Sequence, residues 1–241
     1  ESAPDSHFPP EQPPNRPIPL GQSAWSPKRE HAGSPDADPH PSSSDTALDL
    51  LKQNPDLQRL LRHIAEHPFE PVTGRYAALQ LSRRKGNALR QSLEQLKLVS
   101  TLAISTPKGV LTLLELSDEA RSWLRRTRST ITPLHGGMLH AYWQHECRRL
   151  LEENGWTVKL EWKPPGSQHF VDIAAWKEDR TLLVEVETGK SDWKTNVQQL
   201  QEVEAGCKLV LWTRADASSL GQKRIQEISY RSLKTHIKQI S

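Results

Sequence analysis

The sequence predicts a mixed α/β chain, α+β overall, in which two folded modules follow a polar tail. Three observations carry this reading. Eleven of the 18 prolines fall within residues 1–41, so the rest of the 241-residue chain has near-average composition and can build cores. Residues 45–130 read as helices, then two alternating runs, then a last helix. Residues 136–241 read as a helix, three alternating runs, a helix, a buried run and a last helix.

The tail, residues 1–44, holds Phe8, Ile18, Leu20 and Trp25 as its only large apolar side chains. That is too little apolar surface to offset chain entropy, so disorder is expected. Pro9-Pro10 and Pro13-Pro14 favour extended polyproline stretches. The chain begins at Glu1 without an initiator Met or a signal-peptide pattern, which reads as the C-terminal part of something longer. No apolar run approaches the roughly 18 residues of a membrane span, and a cytoplasmic location is expected. Cys147 and Cys207 are too few for a disulfide scaffold or a multi-cysteine zinc site and read as reduced thiols.

The net charge of +3 is unevenly spread. Residues 45–135 hold 14 Lys/Arg against nine Asp/Glu, whereas residues 136–241 hold 15 against 14. The basic excess therefore belongs to the first module, a modest footprint for nucleic acid.

In that module Asp45 can cap a helix carrying Leu48, Leu51, Leu57, Leu60, Leu61 and Ile64, with Pro55 splitting it and Pro68 and Pro71 ending it. Thr73 caps a short helix, and a third helix runs on from Ser82. Its expected inner face is Ala88, Leu89, Leu93 and Leu96. Val99–Ile104 and Val110–Leu116 alternate around Pro107-Lys108-Gly109, a hairpin signal. Ser117 caps a last helix with Ala120 and Leu124. This is the order of a winged helix-turn-helix, whose third helix enters the major groove. Arg83, Arg84, Lys85 and Arg90 suit phosphates or guanine, Asn87 and Gln91 suit base edges, and Lys108 at the hairpin turn joins the set. Gly86 would let the backbone approach DNA closely. Protein docking is the alternative use of such a module.

In the second module a helix is expected from Met138 to Asn154, stopped by Gly155. Leu139, Trp143 and Leu150 mark its apolar stripe. Glu146 falls between them, where a carboxylate is costly unless paired or coordinating. Strands are expected over 156–162, 169–176 and 181–187, and the three should form a meander. Glu185 and Glu187 share a face, and a hairpin brings Asp172 across from Glu185. Glu146, Asp172, Glu185 and Glu187 converging on one sheet suggest a divalent-cation site. The alternative is an acidic face satisfied by Lys159, Lys163 or Lys190. Lys208–Trp212 is expected as a parallel strand, and a final helix should hold Ile225, Ile228, Leu233 and Ile237, with a break near Ser229. His140 and His145, five apart, do not share a helix face. His169 reads as a surface residue, and Cys147 as buried rather than nucleophilic.

This order, with Phe170-Val171-Asp172, Leu183-Val-Glu-Val-Glu-Thr-Gly-Lys190 and the helix His145–Trp156, resembles the PD-(D/E)XK nuclease superfamily, the restriction-endonuclease-like αβββαβ fold. The likeness covers roughly 138–212. It implies Asp172 and Glu185 as metal ligands with Glu146 supporting, Mg²⁺ (or Mn²⁺) as cofactor, and phosphodiester hydrolysis. Val171 replaces the motif Pro and Glu187 the motif Lys; Lys190 is a candidate for the missing cation. A winged helix before such a domain resembles C-terminal regions of mobile-element or HerA/FtsK-like ATPase proteins, although this chain has no Gly-rich Lys-Ser/Thr phosphate loop. The expected partners are double-stranded DNA and a larger DNA-processing assembly, with homodimerisation left open. The competing function is a catalytically degenerate nuclease fold that only binds DNA or docks.

Overall fold

The computed structural model describes residues 43–190, 192–213 and 225–241, with side chains from Leu48 onward. The tail expected over 1–44 lies outside the described residues, apart from its last two positions. The chain is mixed α/β, with eight helices and two sheets among the described residues.

The helical part begins with α1 (Ser43–Gln53) and α2 (Pro55–Glu66). Pro55 divides them: Asn54 caps α2 by accepting the amides of Asp56 and Leu57, and Pro55 fills the first turn, where no amide partner is needed. α3 (Val72–Ala78) follows with Pro71, not Thr73, at its N-cap. Ser82 caps α4 (Arg83–Gln95) by accepting the Lys85 amide. β1 (Val99–Thr106) and β2 (Gly109–Leu116) form an antiparallel hairpin, and Ser117 caps α5 (Asp118–Arg126). Leu51, Leu60, Leu61, Leu93, Leu114 and Leu124 anchor a core of these elements.

Buried Arg75 ties α2 to α3. Its guanidinium donates to the carbonyls of His63, His67 and Glu70 at 2.8–2.9 Å, in the last turn of α2 and the segment that follows it, where cations are favoured by the helix dipole. Burial lowers the Arg75 pKa to about 10.

The second part starts with α6 (Met138–Glu153) and continues through β3 (Thr157–Trp162), β4 (Val171–Lys177) and β5 (Arg180–Glu187) to α7 (Trp193–Glu202) and β6 (Cys207–Trp212). β7 (Gln226–Ser229) and α8 (Leu233–Ile240) complete it. The five strands lie in chain order, with β3–β4 and β4–β5 antiparallel and β5–β6 and β6–β7 parallel. One sheet face packs on α6 and α8 through Trp143, Cys147, Leu151, Val184 and Ile237. The other packs on α7 through Val197 and Leu200. Ile104 and Leu113 of the hairpin join the α6 core, so the hairpin leans on the second part as well as closing the first.

Three local expectations change. Ile225 and Ile228 do not share a helix: Gln226–Ser229 is a strand beside β6, and the two isoleucines pack on opposite sheet faces. Their three-residue spacing imitated a helix stripe. Ala88 is exposed rather than on the inner face of α4. Gly86 does not offer its backbone outward: it is buried, and a Cβ there would come within 2.6 Å of the Tyr76 ring.

That contact predicts a cost. Gly86→Ala gains helix propensity of up to about 1 kcal/mol but forces the Tyr76 ring out of a filled core, typically a loss of about 1–3 kcal/mol. A lower thermal midpoint is expected; an unchanged or higher one would contradict the close packing of α3 on α4.

Candidate metal centre

β3 and β4 pair with Leu160 opposite Ile173 and Trp162 opposite Val171, which sets Glu161 opposite Asp172. β4 and β5 pair with Ile173 opposite Val184, and the next step of that register sets Asp172 beside Glu185. Glu161, Asp172 and Glu185 therefore stand in one row across three adjacent strands. The β4–β5 ladder ends one step before this level, at Ile173 and Val184, whereas β3 and β4 pair again at Trp162 and Val171. Asp172 Oδ2 accepts the Val186 amide at 2.7 Å, so a side chain takes a backbone donor of β5. Glu161 has φ of +46°, a left-handed conformation unusual for a non-glycine residue and found disproportionately at functional sites.

α6 completes the group from the sheet's other layer. His140 and Gln144 are four apart and share a helix face. Gln144 Nε2 donates to Glu161 Oε1 at 2.7 Å and to Asp172 Oδ1 at 3.1 Å. His140 Nε2 lies 3.2 Å from Asp172 Oδ1. One ligand atom each from His140, Glu161 and Asp172 lie within 4.8 Å of one another, a spacing that small side-chain adjustments would close around one ion. One imidazole and two carboxylates form a donor set that a divalent cation fits.

Charge accumulates here. Glu185 is 6% exposed; burial, then the adjacent Asp172 to which it hydrogen-bonds, then Glu187, raise its carboxyl well above the usual range. Burial pushes the His140 pKa down, but its hydrogen bond to Asp172 and the nearby Glu161 outweigh that, and the net shift is upward.

The sequence-predicted residues divide. Asp172 and Glu185 come together. Glu187 is adjacent on β5 but 0% exposed, and accepts from Asn196 Nδ2 of α7 at 2.9 Å. Lys190 is exposed and lines, with Asp172, His140, Thr188 and Asn196, a cleft of about 480 Å³. Glu146 is not brought to the group. It lies two residues beyond Gln144, about 200° around the helix, and pairs with Arg149 at 2.6 Å. The ion pair satisfies the carboxylate that the apolar stripe made costly. No lysine pairs with Asp172 or Glu185 among the described residues.

His140, Gln144 and Glu161 escaped the sequence reading. The signal for the first two is their four-residue spacing, which the pairing of His140 with His145 obscures; His145 instead stacks on Phe69. Glu161 carried no usable signal, because the eight residues 163–170 between β3 and β4 hide the register. Cys147 is fully buried, and burial raises its thiol to about 12, which excludes a ready nucleophile.

On α4, Arg83, Arg84, Lys85 and Gln91 are exposed. Lys85 pairs with Asp56 at 2.6 Å, and Arg90 stands 4.0 Å from Glu94. Asn87 is not free for a base edge, since its Oδ1 accepts the Tyr76 hydroxyl at 3.3 Å. Lys108 is exposed at the β1–β2 turn.

No family model and no curated protein matches this sequence. A solved structure, protein VC1899 from Vibrio cholerae, matches over 82% of this chain and 54% of its own, with 18% identity and a TM-score of 0.33. This chain thus spans about half the length of that one. No helix among the described residues is long and apolar enough to cross a membrane.

The raised Glu185 has a consequence for stability. The folded chain holds a proton that the unfolded chain releases above the ordinary value of 4.5, so metal-free stability falls as pH rises from there toward the raised value. His140, also raised, adds to the fall above 6.5. Glu185→Gln is expected to raise the thermal midpoint of the metal-free chain near pH 8 by several degrees, at roughly 2–4 °C per kcal/mol, and to flatten the decline. A decline as steep as in the unaltered chain would contradict the buried protonated carboxyl.

Proposed function

We propose that this chain is a metal-dependent deoxyribonuclease, an endonuclease of the PD-(D/E)XK type, and that its helical part is a winged-helix module for double-stranded DNA. The observation that carries the reading is the row Glu161–Asp172–Glu185 with His140 set against it, beside a cleft that also holds Lys190. A divalent cation at His140, Glu161 and Asp172 would polarise a phosphodiester and lower the pKa of attacking water. Gln144 holds Glu161 and Asp172 in register through two hydrogen bonds. Lys190 stands where it can neutralise a phosphate entering the cleft, the task of the lysine that Glu187 replaces. An imidazole in the donor set favours Mn²⁺ over Mg²⁺, which takes oxygen ligands and water. The exposed Arg83 and Arg84, without ion pairs among the described residues, supply phosphate contacts on α4.

One observation favours a second reading, a nuclease fold that binds DNA without cutting it. Glu187 occupies the position of the motif cation and is buried against Asn196, so Lys190 alone would have to serve.

Plasmid cleavage separates the two. The chain is expected to cut with Mn²⁺ and more weakly with Mg²⁺, and Asp172→Ala to lose at least about a hundredfold in rate, in keeping with removal of a metal ligand or its support. Equal background cleavage by both proteins with either ion would leave the non-cutting reading.

DNA binding is expected to survive Asp172→Ala. Replacing Arg83 and Arg84 together by Ala should weaken duplex binding and flatten its salt dependence by about two phosphate equivalents. Unchanged affinity and slope would assign the helical part to protein docking.

A further inference from the structure

A second cavity, of about 510 Å³, opens on the other side of α6 from the acidic row. It is bounded by the β1–β2 turn, by α6, and by the segment from β7 into α8. Its size falls within the range of small-molecule pockets, roughly 300–1,000 Å³. Tyr142, Trp143 and Tyr230 back the cavity from the core, buried at 9%, 2% and 4% exposure, and reach it only with their edges; Trp143 lies edge-on to Tyr142 at 5.2 Å and tilted against Tyr230 at 5.2 Å. Val110, an apolar side chain 71% exposed at the hairpin turn, lines the same space.

The charged lining is predominantly basic. Lys108, Arg231 and Lys234 are exposed and make no ion pair among the described residues, although Arg231 lies over the Tyr230 ring. The single acidic side chain of the lining, Glu146, is taken up by Arg149, which also pairs with Glu153. Three uncompensated cations around an aromatic and aliphatic cavity attract an anion that carries an apolar planar body. They come from distant parts of the chain: Lys108 from the β1–β2 turn, Arg231 and Lys234 from the turn after β7 and from α8.

We infer that this cavity is a binding site for a phosphate-bearing nucleobase, with the base against Val110 and the edges of Tyr142 and Tyr230 and the phosphate on Lys108, Arg231 and Lys234. The carboxylates of the metal centre take no part in it, so it stands whether or not the chain cuts DNA. The same chemistry is offered by a free nucleotide and by the unpaired end of a single strand.

Calorimetric titration of the whole chain in EDTA, which removes cations from the acidic row, tests this with two probes: deoxyadenosine monophosphate and a five-residue deoxythymidine oligonucleotide. At least one is expected to bind saturably, more weakly as salt rises. The double variant Lys108→Glu/Lys234→Glu, with its fold checked by circular dichroism, is expected to lose about tenfold or more in affinity, the size of a lost charge-assisted contact. Binding of the mononucleotide assigns the site to free nucleotides, and binding of the oligonucleotide alone assigns it to a strand end. No saturable binding of either probe, or binding unchanged in the double variant, overturns the inference.

Discussion

A carboxylate inside a sheet needs partners, and Asp172 is surrounded by them. One oxygen takes a backbone amide of the next strand, and the other takes Gln144 and faces His140. Without these donors a half-buried Asp would be costly; with them it becomes a fixed negative centre between two further carboxylates, Glu161 and Glu185. Repulsion along that row is relieved in the metal-free chain by a proton on Glu185 and the upward shift of His140. A divalent cation at His140, Glu161 and Asp172 would relieve it with charge instead of protons.

The architecture around the row follows from this need. Three antiparallel strands in chain order put Glu161, Asp172 and Glu185 at one level, which a sheet with crossed connections would not do. Val184 and Val186 alternate with Glu185 and Glu187, so β5 buries apolar side chains against α6 while its acidic side chains face the opposite way. α6 then reaches Glu161 and Asp172 with a single turn, through His140 and Gln144, and keeps Trp143, Cys147 and Leu151 for the core. The hairpin adds a wall: Leu102 and Glu115 line the acidic cleft, while Lys108 and Val110 line the cavity beyond α6. The helical part is thereby built into the surroundings of both sites.

Much of this was legible in the sequence. The break at Pro55, the helix start at Ser82, the cap at Ser117 and the turn at Pro107-Lys108-Gly109 mark boundaries through local chemistry, which acts over three or four residues. Asp172 and Glu185 were readable as neighbours because a short turn, Lys177–Arg180, fixes the register between their strands. The rest depended on distance in the chain. Glu161 meets Asp172 across a longer loop whose closure no local pattern specifies. Glu146 looked like a ligand because its helix stripe demanded a partner, and Arg149, three residues on, was that partner. Ile225 and Ile228 matched a helix period and yet pack on opposite sheet faces, since the edge of β6 offered β7 backbone partners that short-range propensity does not register. Gly86 showed its sequence but not the Tyr76 ring that fills its open side.

The central claim is that His140, Glu161 and Asp172 hold one divalent cation. Electron paramagnetic resonance of Mn²⁺ titrated into the whole chain tests it directly, because an imidazole ligand couples its nitrogen nucleus to the metal's electron spin. One Mn²⁺ bound per chain, with a nitrogen coupling that disappears in His140→Ala and binding that is lost in Asp172→Ala, is the result expected. Mn²⁺ that remains fully hydrated in the presence of the chain, or that binds without nitrogen coupling and equally well to Asp172→Ala, would contradict it.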